Sequence, residues 1–412
     1  MSLKILHTAD WHLGKKLDFF SRIEEQKQVL NEICEIADNQ DVDVVIIAGD
    51  LFDTFNPPVE AIDLFYSTLK RLSENGQRPV IAIAGNHDSP DRIDVPNPLA
   101  IECGIIFIGY PNAIVNPIAI ENGFSITRTD AGFFEIQLPK FDFPLRIIAT
   151  PYANEMRLKQ YLGSENREDQ LNAVLKETWT SLADQYCDEQ GVNILTSHLY
   201  MLKRGGVVLE EPDGEKPIMV GNAEVIYTDC IPPQIQYTAL GHLHRYQNIN
   251  SKEKPVVYSS SPLCYSFSEA GQQKKVAIIE ALPNSEAIYY DISLKSGRAL
   301  HRVRFSSIED TVEWLLDNPN TLVELTLESD TFIKTEDLKL IHSSHDGIIH
   351  IIPIIEKTDE DGNPLNQGRV NLDQDINGLF SDYFKSKNKL QEPNDDLLAL
   401  FQELLSPQKN EL

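Results

Sequence analysis

The chain has 412 residues, of which 42% are hydrophobic and 24% charged, and its formal net charge is −27. This length exceeds one ordinary hydrophobic core, so we expect a main domain and at least one smaller domain. A protein this acidic repels nucleic-acid phosphates at long range, so either the substrate is not a polyanion or cations at the site outweigh the global field.

Neither export nor membrane insertion is indicated. No apolar run is long enough to span a bilayer, and "MSLKILHTADWH" at the N-terminus lacks the basic flank and apolar stretch of a signal peptide. The five cysteines are scattered and lack CxxC pairing: Cys34, Cys103, Cys187, Cys230 and Cys264. We therefore expect a cytoplasmic protein without membrane contact, with reduced cysteines rather than disulfides or zinc ligands.

The first hundred residues alternate predicted strands and helices. Three buried strands are read in "KILHTADWH" from Lys4, "DVVIIAGDLFD" from Asp43 and "PVIAIAGNHD" from Pro79. The segments between them, "IEEQKQVLNEICEIADN" and "VEAIDLFYSTLKRL", place apolar residues at helical spacing. This alternation predicts a parallel sheet with right-handed crossovers, in which ligands bind beyond the carboxyl ends of the strands.

From residue 105 the pattern changes to shorter β segments, interrupted by a predicted helix from Glu168 to Glu189. The segments are "GIIFIGY", "GFFEIQLP", "PLRIIATPY", "NILTSHLY", "QIQYTALGHLHRY", "PVVYSSS" and "KKVAIIEAL". They are predicted to complete a two-sheet sandwich that ends near residue 280. Residues 281–356, from "AIYYDISL" to "GIIHIIPII", predict a smaller α+β domain.

The C-terminal part reads as a linker followed by two short helices. Residues 357–374 are polar, with few apolar side chains. Residues 375–412 contain "INGLFSDYFKSKN" and "NDDLLALFQELLS", which are amphipathic and too short to be stable alone in water. They dock either on a partner or back onto their own domain.

Polar side chains end five of the predicted strands. They are Asp10 with His12, Asp50, Asn86 with His87, His198, and His242 with His244. Singly, a histidine at a strand end is commonly a hydrogen-bonded structural residue, and a Gly-Asp pair after a strand is commonly a turn or a helix cap. Together they predict one metal site, and mixed Asp, His and Asn donors favour Mn²⁺, Fe²⁺ or Zn²⁺ over Ca²⁺ or Mg²⁺. The number of donors favours two ions sharing a carboxylate, as in phosphoryl transfer.

The order D-x-H, GD, GNH, H, GHxH in these positions resembles the calcineurin-like metallophosphoesterase superfamily. More narrowly, "KILHTADWHLGKKL", "IIAGDLFDTFNPP" and "IAGNHDSPDR" resemble the SbcD family of nuclease subunits, relatives of the Mre-type repair nucleases. The resemblance covers residues 1–280 well and the following domain more loosely. It implies a four-layer α/β/β/α metallophosphoesterase sandwich with an α+β capping domain and C-terminal helices.

The resemblance also assigns the donors. One ion would be held by Asp10, His12, Asp50 and His244, and the second by Asp50, Asn86, His198 and His242, with Asp50 as the bridge. His87 would stabilise the transition state and protonate the leaving sugar oxygen. Both ions would most often be Mn²⁺. Some relatives carry histidine where this chain has Asp53, so no catalytic role is transferred to Asp53, which we expect to order its loop.

The function implied is that of a DNA nuclease, a 3′-to-5′ double-strand exonuclease and single-strand or hairpin endonuclease. It would act in double-strand-break and hairpin processing, recombination and replication. The implied partners are an SbcC-type coiled-coil ATPase, bound through residues 375–412, and a second copy, paired through helices at "NPPVEAIDLF" and "VPNPLAIEC", giving a heterotetramer. The alternatives are a phosphatase or phosphodiesterase for a small substrate, and an inactive scaffold that tethers DNA ends.

Six basic residues lie close in sequence to the metal motifs and are candidates for contacts with DNA phosphates. They are Lys15, Lys16, Arg92, Lys203, Arg204 and Arg245. The alternative is that they are scattered surface charges.

Overall fold

The computed structural model describes residues 1–163, 166–206, 225–329 and 333–355, and the single residues 380, 381, 384, 393, 397, 398 and 401. The predicted linker at 357–374 lies outside the described residues. Of the C-terminal helices predicted at 375–412, only those seven residues are described.

The strands, in chain order, are β1 (Leu3–Thr8), β2 (Lys16–Leu17), β3 (Phe20–Ser21), β4 (Val44–Ala48), β5 (Val80–Ile83), β6 (Ile105–Ile108), β7 (Ile118–Ala119), β8 (Ser125–Asp130), β9 (Phe133–Gln137), β10 (Leu145–Thr150), β11 (Val192–His198), β12 (Met201–Leu202), β13 (Ile226–Tyr227), β14 (Tyr237–Gly241), β15 (Gln247–Asn248), β16 (Val256–Tyr258), β17 (Lys275–Ala281), β18 (Ile288–Ser293), β19 (Ala299–Phe305), β20 (Thr321–Ser329) and β21 (Ile348–Ile355). The helices are α1 (Ile23–Asn39), α2 (Val59–Leu72), α3 (Pro90–Asp94), α4 (Asn97–Ala100), α5 (Glu155–Leu158), α6 (Arg167–Tyr186), α7 (Ile308–Asp317) and α8 (Thr335–Ser344).

Two large sheets form the body of the protein. The first has six strands in the order β18-β17-β1-β4-β5-β6, and the second has eight in the order β15-β16-β14-β11-β10-β9-β8-β7. In the first, β1, β4, β5 and β6 are parallel, as the alternation of strands and helices predicted. In the second, β10, β11, β14 and β16 are parallel. Each sheet therefore presents a set of carboxyl strand ends at one edge.

Three hydrophobic cores separate four layers. The outer face of the first sheet packs on α1 and α2 through residues such as Val29 and Phe65. The inner faces of the two sheets pack on one another through residues such as Ile5 and Ile194. The outer face of the second sheet packs on α6, with Trp179 fully buried. The predicted four-layer α/β/β/α sandwich is confirmed.

Three strands differ from the predicted grouping. The segment "KKVAIIEAL" forms β17, which pairs with β1 in the first sheet and not with the second set of strands. The segment "AIYYDISL" forms β18, which pairs antiparallel with β17 in the first sheet, so that sheet extends to Ser293 rather than ending near residue 280. The segment "GIIFIGY" forms β6, which also joins the first sheet and not the second. Their apolar patterns predict strands correctly, but pairing partners depend on contacts that are distant along the chain.

The α+β part of the structure has a separate small sheet. Strands β19, β20 and β21 run parallel, and α7 and α8 cover one face through Leu315 and Ile341. The other face meets the β2–β3 hairpin, where Leu17 packs with Leu322 and Phe267. Within the described residues, no helix combines the length and apolar character needed to cross a membrane. All five cysteines are free, and Cys103 is exposed.

Candidate metal centre

The predicted donors meet where the carboxyl edges of the two sheets face one another. Asp10 and His12 follow β1, Asp50 follows β4, and Asn86 with His87 follows β5. From the second sheet come His198, the last residue of β11, and His242 with His244 after β14. All eight are buried except Asn86, which is partly exposed. The sheet topology therefore brings together every donor that the sequence predicted.

The backbone turns sharply at this edge. Asp10 (φ 54°), His12 (φ 44°), Asp50 (φ 48°) and His242 (φ 105°) all have positive φ. Each such residue costs of order 1–3 kcal/mol and persists only where the surroundings enforce it. Here the two loops of the first sheet bind one another, because the Asp10 amide donates to the Gly49 carbonyl and the His12 amide to the Asp50 carbonyl, both at 2.9 Å.

Two glycines leave room for the donors. Gly49 has φ 92°, and a Cβ there would lie 2.2 Å from Nδ1 of His198. A Cβ on Gly85 would lie 2.1 Å from Oδ1 of Asp50. Any side chain at either position would displace a donor, which gives the Gly-Asp and Gly-Asn-His motifs a steric reason.

Asp50 lies between two groups of donors. Its Oδ2 is 3.2 Å from Nε2 of His198 and 3.6 Å from Nε2 of His12. Asp10, His12 and Asp50 have ligand atoms within 4.8 Å of one another, and so do Asp50, His198 and His242. Because Asp50 belongs to both groups, the arrangement suits two cations that share one carboxylate.

His198 and His244 are oriented with Nε2 toward the other donors. The Nδ1 proton of His198 is donated to the carbonyl of Ala48 at 2.9 Å, and Nε2 lies 2.9 Å from Oδ1 of Asn86. The Nδ1 atom of His244 lies 3.3 Å from Glu269, and its Nε2 is 3.1 Å from Nε2 of His12. Acceptors behind a histidine fix its tautomer and raise its basicity, as they do behind metal ligands.

The electrostatics of the centre suit the binding of cations. Burial raises the pKa of Asp10 to about 6, and Oδ2 of Asp10 has no hydrogen-bond partner among the described residues. Burial also opposes the charge of Asp50, but the imidazoles of His198, His87 and His12 outweigh it and hold the pKa well below its usual range. Burial lowers the pKa of His198, yet Asp50 and Asp10 raise it to about 9. Buried carboxylates that depend on protonated imidazoles fit a site for divalent cations.

His87 sits beside these two groups. Its amide donates to Oδ1 of Asp50 at 2.9 Å, and its Nδ1 donates to the carbonyl of Asp53 at 2.8 Å. Its ring lies 4.9 Å from that of His12. His12, Asp53 and His87 also have ligand atoms within 4.8 Å of one another, so the geometry alone permits a third cation group there. Asp53 is partly exposed and lies 3.4 Å from Lys15.

Several supporting residues were not predicted from the sequence. The carboxylate of Glu269 accepts a hydrogen bond from Lys274. Burial raises the pKa of Glu269, but Lys274 and His244 outweigh this effect and lower the pKa to about 2. Gln26 donates to the carbonyl of His12 at 2.9 Å. Asp88 accepts from the amides of Leu51, Phe52 and Gly85. Only Asp88 carried a sequence signal, because it directly follows the Gly-Asn-His motif.

The six candidate DNA contacts are spread over the surface. Lys15 is the member that contacts the centre, through Asp53. Arg92 donates to Asn56, and Arg204 lies 4.1 Å from the ring of Tyr227 and 3.5 Å from Asp229. Lys16, Lys203 and Arg245 are exposed. Their role as phosphate contacts stays a prediction.

Comparison with known proteins agrees with the motif order. The family described as calcineurin-like phosphoesterase matches residues 3–246. The chain is 34% identical over 411 residues to the SbcD subunit of the nuclease SbcCD from Bacillus subtilis, covering 98% of both chains.

Solved structures show weaker likeness. A Staphylococcus aureus protein assigned as a 5′-nucleotidase matches at 14% identity and TM-score 0.40, over 84% of this chain and 58% of that protein. A dimetal phosphatase from Danio rerio matches at 12% identity and TM-score 0.37, over 72% and 99% of the two chains. The assignment rests on the sequence matches: the chain belongs to the calcineurin-like phosphoesterase family and, within it, to the SbcD-type subunits.

Proposed function

We propose that this chain is the metal-dependent DNA nuclease subunit of an SbcCD-type complex. The observation that carries the proposal is the pair of donor groups sharing Asp50, which lies within the residues matched by the family. One ion would be held by Asp10, His12, Asp50 and His244, and the other by Asp50, Asn86, His198 and His242. We propose Mn²⁺ for both, because mixed imidazole, amide and carboxylate donors suit it.

The bound ions supply Lewis-acid activation and neutralise charge at the phosphate. The protein's own contribution is to orient and to move a proton. Asp50 is fixed by the amide of His87 and the ring of His198. The ring of His87 is fixed at Nδ1 by the Asp53 carbonyl, so Nε2 is the atom that gives a proton to the leaving sugar oxygen. An imidazole has the pKa range for this step.

The substrate is DNA, cleaved as a 3′-to-5′ double-strand exonuclease and as an endonuclease on single strands and hairpins. The relative that is named as a nuclease matches over nearly the whole chain, including the part beyond the phosphoesterase match. The net charge of −27 favours a rival substrate, a small phosphate ester.

One experiment separates these substrates. A blunt linear DNA duplex and bis-p-nitrophenyl phosphate are offered in parallel with Mn²⁺, with and without an SbcC-type ATPase and ATP. We expect both substrates to be hydrolysed. The ATPase with ATP should accelerate the cleavage of DNA but not that of the small ester. Hydrolysis of the small ester only, unaffected by the ATPase, would leave the metal centre in place and make the protein a small-substrate phosphodiesterase.

Residues 375–412 are proposed to dock on the coiled coil of the SbcC-type partner. Among their described residues, Phe380 stacks on Phe401 with ring centroids 4.0 Å apart. Deletion of residues 372–412 is expected to abolish binding to the partner, measured by co-sedimentation. Hydrolysis of bis-p-nitrophenyl phosphate should stay within about twofold of the full chain, since the catalytic donors lie elsewhere. Undiminished partner binding would place the interface on another surface.

A second copy is proposed to pair through α2 and the α3–α4 region. Apolar side chains are exposed there, among them Val59 (80%), Val95 (77%) and Leu99 (80%), and Val95 also lines a cavity of about 260 Å³. The double variant Val95→Asp, Leu99→Asp is expected to convert a dimer to a monomer in analytical ultracentrifugation. Leu316→Asp, at an exposed leucine on α7, is the control. A dimer that survives the double variant contradicts this interface.

Lys15 and Lys16 are proposed to contact DNA phosphates beside the centre. Replacing both with alanine should make the dependence of log K on log salt shallower by about two units, because each lost contact removes about 0.9 of slope. Filter binding at several salt concentrations, with an inactive background variant, measures the slope. Lys140→Ala is the control, since Lys140 pairs with Asp43 at the opposite strand ends. An unchanged slope would reduce both lysines to surface charges.

A further inference from the structure

A buried arginine outside the sequence motifs holds the loop that carries Asn86 and His87. Arg157 is 7% exposed. Its Nη1 donates to the carbonyl of Gly85 at 2.7 Å, and its Nη2 donates to the carbonyl of Asp88 at 2.8 Å. These two carbonyls lie on either side of Asn86 and His87, so the guanidinium fixes both ends of the dipeptide.

Arg157 is itself held rigidly. It lies in α5, where its amide donates to the side chain of Asn154 at 2.9 Å. Its guanidinium lies 4.9 Å from the centre of the Tyr152 ring, a cation–π distance. The amide of Tyr152 donates to the carbonyl of Ala84 at 2.9 Å. The segment before α6 and the loop after β5 are therefore joined at three points.

The same loop is tied on its other side. Asp88 accepts from the amides of Leu51 and Phe52, directly after Asp50. Burying a guanidinium costs free energy unless it gains hydrogen bonds and nearby negative charge. Arg157 gains both here: burial lowers the pKa of its guanidinium, and the carboxylates of Asp88 and Asp50 oppose that shift.

We infer that Arg157 is a positioning residue that sets His87 and Asn86 against the metal centre. The inference rests on the proposed function. A displacement of about 1 Å in a catalytic group can lower the rate about 100-fold, so loss of the two hydrogen bonds should be visible in turnover. Lysine keeps the charge but lacks the planar fork that reaches two carbonyls at once.

The test compares Arg157→Met and Arg157→Lys with Arg78→Met. Arg78 is the matched control because it is 4% exposed and also donates to backbone carbonyls, those of Val42 and Leu72, far from the centre. The measurements are kcat and KM for bis-p-nitrophenyl phosphate at saturating Mn²⁺, Mn²⁺ binding by calorimetry without substrate, and thermal unfolding.

We expect Arg157→Met to lower kcat about 100-fold with KM within about threefold, and to weaken the binding of one of the two Mn²⁺ ions, the one held by Asn86. Arg157→Lys should lie between this variant and the wild type. Arg78→Met should lose thermal stability but keep kcat. If Arg157→Met does not fold, Arg157→Lys decides by the same measurements.

Two results would overturn the inference: wild-type kcat and Mn²⁺ binding in a folded Arg157 variant, or an equal loss of kcat in folded Arg78→Met. Failure of the proposed function is distinguishable from both. A wild-type protein that hydrolyses no phosphodiester refutes the function, and the Mn²⁺ calorimetry then still reports whether Arg157 sets the position of Asn86.

Discussion

His87→Ala is expected to lower the hydrolysis of bis-p-nitrophenyl phosphate and of DNA by at least about 100-fold while both Mn²⁺ ions stay bound. General acid catalysis by a positioned imidazole contributes about 10²–10⁴-fold. The variant keeps the backbone amide that donates to Asp50, so the bridging carboxylate keeps its support. The measurements are kcat at saturating Mn²⁺ and metal content by calorimetry.

The retained metal is the decisive part of this result. His87 also lies in a possible cation group with His12 and Asp53, so geometry alone permits it to be a ligand. Loss of an ion in His87→Ala would show that His87 is a metal ligand, and the proton donor to the sugar oxygen would then be another group. His301→Ala, in the α+β sheet beside Trp314, is the control and should match the wild type.

Asp50→Asn is expected to remove at least one Mn²⁺ ion and to lower kcat by about 10³-fold or more. The reason is that Asp50 is shared by two donor groups, one with Asp10 and His12 and one with His198 and His242. It should also lower the free energy of unfolding of the metal-free protein by about 3 kcal/mol, since His198 loses the nearer of its two buried carboxylate partners, Asp50 and Asp10. Calorimetry measures the binding of Mn²⁺, and urea unfolding in a chelator measures stability.

The control is Asp188→Asn, which changes a largely exposed carboxylate that pairs with Arg146 away from the centre. This variant should bind two Mn²⁺ ions and keep kcat. If Asp50→Asn retains both ions with wild-type affinity, Asp50 is not a bridge and the two ions are held by separate donors.

The sequence predicts the parts of this protein that depend on local pattern. Helices α1 and α2 have the bounds of the two quoted helical segments, because their apolar residues repeat at helical spacing. The donors could be predicted as one site because parallel strands place their carboxyl ends at one edge. The helix predicted at 168–189 is α6, which runs from Arg167 to Tyr186 in the structure.

The parts that could not be predicted depend on partners distant along the chain. Arg157 donates to the carbonyl of Gly85, which lies 72 residues away along the chain. Lys274 donates to the carbonyl of His244, which lies 30 residues away. No local pattern marks either residue. For the same reason the sequence predicts β18 as part of the smaller domain, because its apolar residues do not identify β17 as the strand with which it pairs.

The positive φ angles at the centre set chemical function against conformational stability. Asp10, His12, Asp50 and His242 adopt positive φ angles, which non-glycine residues disfavour, and they are four of the seven proposed metal donors. Selection for heat resistance alone would therefore favour substitutions at these positions that relax the backbone and discard the chemistry. Cation binding opposes this tendency by mass action, so a laboratory evolution experiment with abundant Mn²⁺ should retain residues that a metal-depleted one discards.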